Sequence, residues 1–176
     1  MLEAYEKRDK VCLIAFKGNS SELLLSATNS VEFAKKRLED LPTGGKTPLC
    51  AGLLHGYKIA KDTLHRNKDI TPLLILITDG RANVGADQRY PKVGRNTGHI
   101  YEELYLVADT IHAETRLKSI VIDAEEKRTC TFGTARTLSE RLNPKYIVLD
   151  EIRSGLIAKV VQGELIQQYA SQANTM

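Results

Sequence analysis

The sequence predicts an α/β fold: a Rossmann-like, doubly wound, mostly parallel sheet with helices on both faces, formed by residues 1–176 as one domain. Three observations predict it. Apolar strand-like runs alternate with stretches whose apolar residues recur at helical spacing. Two runs, KVCLIAFK (10–17) and PLLILIT (72–78), are continuously apolar, the pattern of strands covered on both faces. Three runs end in an aspartate, at Asp79, Asp123 and Asp150. Open α/β sheets bind ligands beyond the carboxyl ends of their strands, so these three could line one rim with carboxylates. Asp after a strand also starts turns and caps helices, and that reading stands beside the first.

The elements follow in order. Residues 2–8 read as the last turns of a helix. KVCLIAFK is a strand and ELLL (22–25) a second, short one. Ser30 can cap a helix running to about Leu41, with Val31, Ala34 and Leu38 on one face. A helix starts again at Pro48 and carries Leu49, Leu53, Tyr57, Ala60 and Leu64 at helical spacing. PLLILIT is the most apolar strand of the chain. A polar loop then runs from Asp79 to about Gly98, longer than most connections in such folds, and long loops are often functional. Residues 99–117 read as a helix, SIVIDA (119–124) as a strand, 132–142 as a helix and KYIVLD (145–150) as a strand. A closing helix over 154–170 has an apolar face of Leu156, Val160 and Ile166.

Composition narrows the function classes. The chain is 42% hydrophobic and 27% charged, the balance of a soluble globular domain. A net charge of +3, spread along the chain with few aromatics between the basic residues, gives no nucleic-acid platform. No apolar run approaches the ~20 residues of a membrane span. The N-terminus lacks a signal-peptide pattern, and three cysteines without metal-ligand spacing suit a reducing, cytoplasmic setting. Cys12 and Cys50 sit inside apolar patterns and read as small core residues, whereas Cys130 lies in a polar stretch. His55, His65, His99 and His112 fall on helices or their ends, without ligand spacing to carboxylates.

The stretch PTGGKTPL (42–49) invites a nucleotide-binding reading, because Gly45-Lys46-Thr47 looks like the end of a phosphate-binding loop. Such a loop needs G-x-x-x-x-G-K-[ST] fed by a strand. Here the first glycine position is Asp40 and the preceding element is a helix, so a carboxylate would face the phosphates. The local chemistry fits a helix start better. Thr47 can serve as N-cap, Pro48 suits the first helical position, and Gly44 and Gly45 let the chain turn sharply.

Four segments in order carry a resemblance: EAYEKRDKVCLIAFKG, LPTGGKTPLCAGLLHGYKIAK, LLILITDGRANV and SIVIDAEE, followed by KYIVLDEI. The chain resembles the von Willebrand factor A (integrin I-like) domain of the magnesium chelatase D subunit and its cobaltochelatase relatives, over nearly its whole length. That family carries a metal-ion-dependent adhesion site. Its ligands come from a D-x-S-x-S motif after the first strand, a threonine in the second loop and an aspartate ending the fourth strand. The resemblance matches Thr47 to the threonine and Asp79 to the aspartate. Mg²⁺ takes hard oxygen ligands in an octahedron and keeps several waters, which suits a hydroxyl and a carboxylate. D-x-S-x-S does not occur in this sequence, and neither does the first central strand that carries it. The resemblance therefore implies weak or absent Mg²⁺ binding by this chain and two strands, 10–17 and 72–78, deprived of a common neighbour. Either those strands close up, another chain supplies a strand, or the sequence is part of a longer protein. Self-association through the exposed sheet is expected.

The function implied is a protein-interaction module. In the resembled family the parent complex inserts Mg²⁺ into protoporphyrin IX while AAA+ modules hydrolyse ATP. The implied partners are the AAA+ chelatase subunit and the large porphyrin-binding subunit, with no nucleic acid and no membrane span. Two alternatives remain. One is a von Willebrand A partner of another AAA+ ATPase. The other is a Mg²⁺-dependent phosphotransfer enzyme using Asp79 and Asp123. In the 79–98 loop, Arg81, Asn83, Arg89 and Arg95 could form a partner-facing patch or a solvated loop.

Overall fold

Strand and helix alternate along the chain as the patterning predicts. The computed structural model describes residues 9–39, 45–85, 98–124, 134–142 and 146–148. Its elements run β1 (Val11–Lys17), β2 (Ser20–Thr28), α1 (Val31–Glu39), α2 (Leu49–Arg66), β3 (Leu73–Thr78), α3 (Gly98–His112), β4 (Lys118–Asp123), α4 (Thr134–Leu142) and β5 (Tyr146–Val148). The expected helices at 2–8 and 154–170, together with Asp150, Cys130, Arg89 and Arg95, lie outside the described residues. Backbone proximity groups the chain into two units, residues 1–59 with 81–108, and residues 60–80 with 109–176. Each is described by itself.

The first unit is built on a hairpin. β1 and β2 pair antiparallel around a Gly18-Asn19 turn, with register shifts between Val11 and Ile14. β2 is longer than the ELLL run suggested, because the ladder carries its polar ends along. α1 packs on both strands. Of its expected apolar face, Ala34 is buried but Leu38 is 50% exposed. β1 is half-buried along most of its length rather than covered on both faces, and among the described residues it pairs with β2 alone. Cys12 is accordingly half-buried, and Cys50 is fully buried. The N-terminal half of α2 meets β1 closely at Gly52, where a Cβ would fall 2.4 Å from Phe16 Cδ1. Ser21 Oγ donates to the Ala51 carbonyl at 3.2 Å and meets His55 Nδ1 at 3.1 Å, tying β2 to the same helix face. Of the positions read at helical spacing, Leu49, Leu53, Ala60 and Leu64 are buried and Tyr57 is half-buried, so that spacing marks the inward face of α2.

The second unit contains a parallel sheet of order β3-β4-β5. β3 and β4 pair in unbroken register from Leu73↔Lys118 to Thr78↔Asp123. β4 is buried at every position but its first, because it has a strand on each side and α4 packs against it. β3 differs. Ile75 and Ile77 are 39% and 56% exposed, while Ile120 and Ile122, their in-register neighbours on β4, are buried. α3 stops at His112, before the predicted residue 117, where Glu114 accepts from Leu117 N–H and the chain turns into β4. His112 Nδ1 lies 3.1 Å from the Leu142 carbonyl, and Arg141 pairs with Asp109 at 2.6 Å, joining the ends of α3 and α4. No helix among the described residues is long and apolar enough to cross a membrane.

Candidate functional site

The segment Gly45–Pro48 is held by its backbone at several points. Gly18 N–H in the hairpin turn donates to the Lys46 carbonyl at 2.9 Å. Thr47 N–H donates to Asn83 Oδ1 at 2.7 Å, and Asn83 N–H donates back to the Thr47 carbonyl at 3.3 Å. A carboxamide oxygen and a backbone N–H thus grip one residue from both sides, as a neighbouring strand would. Gly45 takes a φ of 104°, a left-handed conformation that side-chain-bearing residues avoid, as expected of a sharp turn before a helix. α2 opens at Leu49, one residue later than the sequence suggested. Its first helical bond runs from Gly52 N–H to the Pro48 carbonyl, so Pro48 rather than Thr47 precedes the first helical residue. Thr47 is half-buried and Lys46 exposed, with the Lys46 ammonium 3.4 Å from Asn19 Oδ1.

Asp79 belongs to the other unit and directly follows β3, half-buried. The β3–β4 ladder continues past the strands through Ala124 N–H to the Thr78 carbonyl at 2.9 Å. Gly80 N–H then donates to Thr78 Oγ1 at 3.1 Å, and Gly80 adopts a φ of 75°. A Cβ there would also lie 3.2 Å from the Ala135 backbone nitrogen, so the chain can turn under the start of α4 only with glycine in place. Asp123 ends β4 in register with Thr78 and is buried, at 6% exposure. Asp79 and Asp123 therefore stand at the carboxyl ends of adjacent parallel strands, the rim read from the sequence.

The sequence reading placed Asn83 in an outward patch with Arg81. Arg81 and Asn83 are both exposed, and the Asn83 side chain also accepts from Thr47 N–H. A signal for this was available: Asn is the side chain most like a peptide group, and it sits in a loop that must leave a strand end. Thr47 and Asp79 offer a hydroxyl and a carboxylate, the hard oxygen donors that fit Mg²⁺. Among the described residues no cluster of three or more His, Cys, Asp or Glu side chains could hold a metal. Thr47 lies in the first unit and Asp79 in the second, and each is described within its own unit.

Comparison with known proteins follows from this geometry. No protein-family model matches the chain. An uncharacterized protein of Methanocaldococcus jannaschii is 33% identical over 160 residues, 91% of this chain and 86% of that protein. The magnesium-chelatase 67 kDa subunit of Heliobacterium mobile is 35% identical over 162 residues, and the 60 kDa subunit of Cereibacter sphaeroides is 31% identical over 159. The chain spans only about a quarter of these chelatase subunits, 23% and 26% of their lengths. Among solved structures, the SpRpn10 VWA domain superposes with a TM-score of 0.51 at 15% identity, over 79% of this chain and 64% of that one. At that identity the likeness bears on the fold alone.

Proposed function

Because this chain belongs to a family of von Willebrand A-like domains related to magnesium-chelatase subunits, we propose that it is the protein-interaction module of a chelatase D-type system. In this reading it docks onto an AAA+ chelatase subunit and supports ATP-dependent Mg²⁺ insertion into protoporphyrin IX by the parent complex. The observation that carries the proposal is the clamp of Asn83 on both sides of Thr47's backbone. Asn83 lies four residues after Asp79, so the loop leaving the aspartate's strand end is the loop that fixes the threonine. Thr47 and Asp79 are the residues of this chain that would hold a divalent ion. Mg²⁺, when bound, supplies a positive centre to which a partner's carboxylate can be attracted. Asn83 orients the Thr47 segment before any partner arrives, which lowers the ordering cost of binding.

The test is an affinity measurement of the full chain against the AAA+ subunit, in Mg²⁺ and in excess EDTA. Asp79→Asn and Thr47→Ala should each weaken the Mg²⁺-dependent part by about tenfold or more, the loss of one charged or polar anchor. Equal affinity of the wild type and both variants, indifferent to EDTA, would refute the proposal. A second reading rests on the M. jannaschii relative, most of whose length this chain matches. A protein of that size would serve as a von Willebrand A partner of another AAA+ ATPase. Retrieval of a non-chelatase AAA+ protein, with no binding to the chelatase subunit, would favour it.

A further inference from the structure

Three segments of the first unit, 17–21, 45–50 and 81–85, are tied together at Lys46 and Thr47. The Lys46 carbonyl accepts from Gly18 N–H at 2.9 Å, and Thr47 is bonded to Asn83 through both of its peptide groups. The three segments carry Lys17, Lys46 and Arg81, all exposed, and no acidic residue. The Lys17 stem passes 3.5 Å from where a Cβ on Gly45 would stand, so two lysines on different segments approach one loop. The Lys46 ammonium reaches Asn19 Oδ1 at 3.4 Å, a contact that uses one of its three donors. Glu103 brings a carboxylate oxygen to Gly85, at the end of the third segment remote from Arg81. Like charges gathered on adjoining segments repel one another, and opposite charge from outside offsets that repulsion.

We infer that this cationic surface beside Thr47 receives an acidic segment of the partner protein, with Asp or Glu carboxylates set against Lys17 and Lys46. The inference rests on the docking reading above and names the chemistry of the partner's surface. Carboxylates suit the surface better than a phosphate group does. Phosphate-binding loops hold their ligand with backbone N–H groups that have no other acceptor. Here Gly18 N–H is engaged by the Lys46 carbonyl and Thr47 N–H by Asn83 Oδ1. The donors offered are side-chain ammoniums on exposed positions, which attract a carboxylate as point charges and need no cradle. Exposed charges of this kind act chiefly on the rate of encounter and on its salt dependence. The backbone bond from Gly18 to Lys46 does not involve the lysine side chain, so the charge can be removed without releasing the loop.

Fluorescence anisotropy of a short, labelled oligoglutamate titrated with the full chain tests the inference, in parallel with binding of the AAA+ subunit. Lys17→Gln and Lys46→Gln should each weaken both by about two- to fivefold at ~0.15 M salt, and the difference should fade at ~0.5 M. Lys58→Gln is the control. Lys58 is exposed and lies about 14 Å along α2 from Leu49, beyond the ~8 Å over which a charge acts at the lower salt, so its loss should change nothing. No saturable binding of the peptide, equal loss from all three variants, or no loss from Lys17→Gln and Lys46→Gln overturns the inference. So does inorganic phosphate that displaces the peptide where chloride of equal ionic strength does not, since the surface would then belong to phosphate. The docking reading is judged apart, by the response of the wild type to EDTA with the AAA+ subunit. Losing that response while the lysine effects persist would overturn the docking reading alone. EDTA-sensitive binding that ignores both lysine variants would overturn the inference alone.

Discussion

Gly52 decides between two opposite expectations for one substitution. In an ordinary helix interior Gly→Ala is stabilising by about 1 kcal/mol, because alanine restricts the unfolded chain and favours helix. In α2 the added methyl would lie 2.4 Å from Phe16 Cδ1, 2.7 Å from Cγ and 3.0 Å from Cβ. Carbon atoms attract at about 3.5–4.0 Å, so the nearest contact is short by roughly 1.1 Å. The clash reaches down to Phe16 Cβ, so turning the ring about its own axis does not clear it. Either Phe16 leaves its rotamer or α2 lifts from β1, an overpacking cost of about 1–3 kcal/mol. Set against the propensity gain, Gly52→Ala should destabilise the protein by about 1 kcal/mol, measured by urea denaturation at unchanged m-value. In a Phe16→Leu background the same change should become neutral or stabilising, and the cycle should show a coupling of about 1 kcal/mol or more. A Gly52→Ala protein more stable than the wild type would show that α2 and β1 do not approach as described.

Three further outcomes are expected. Asn83→Ala should cost about 0.5–1.5 kcal/mol and speed hydrogen exchange at the Thr47 amide, since it removes the 2.7 Å acceptor; unchanged exchange at that amide would contradict the clamp. Ser119 Oγ is buried at the start of β4 without a hydrogen-bond partner, so Ser119→Ala should leave stability unchanged or raise it by about 1 kcal/mol, and a clear loss in thermal unfolding would mean the hydroxyl is satisfied. Burial pushes the Cys12 thiol up from its ordinary value. The unfolded chain then releases that proton first, so the thiol's contribution is intact below about pH 8.5 and stability falls as pH rises above it. Cys12→Ala should flatten that alkaline decline, and a pH–stability curve identical in slope for both proteins would refute the assignment.

The strands and helices that could be read from the sequence were those whose burial follows one period. α2 is the clearest case, because Leu49, Leu53, Ala60 and Leu64 carry both the period and the core. The β4 run also told the truth: SIVID is apolar on both faces and lies between two strands. β1 and β3 look the same in sequence, yet one is half-buried and the other exposes Ile75 and Ile77. A continuous apolar run states that a strand can be covered on both faces. Which neighbours cover it is a property of topology, and no single segment encodes that. Leu38 fails for a related reason. A short helix with one apolar stripe need not bury its last turn, and α1 ends one residue beyond it.

The candidate site divides along the same line. Asp79 was legible because a strand end in a parallel sheet fixes where the next residue stands, and the register Thr78↔Asp123 puts Asp79 and Asp123 on one rim. Thr47 was legible as a loop residue before a helix, but its two bonds to Asn83 were not. Capping logic weighs only the helix that follows, and it assigned Thr47 to α2. The loop after β3 adds a second hold on the same residue, with Asn83 bonded to Thr47's N–H and carbonyl. A threonine engaged in capping would have its hydroxyl turned back toward the helix's own N–H groups. Asn83 holds only the backbone of Thr47, so the Thr47 hydroxyl takes part in neither of these two bonds. Hence Asn83→Asp, which keeps the acceptor oxygen but adds a charge, should preserve the exchange protection at Thr47 while altering Mg²⁺-dependent partner affinity. If instead it loosens Thr47 as much as Asn83→Ala does, the clamp and the proposed metal contact cannot be separate functions of this loop.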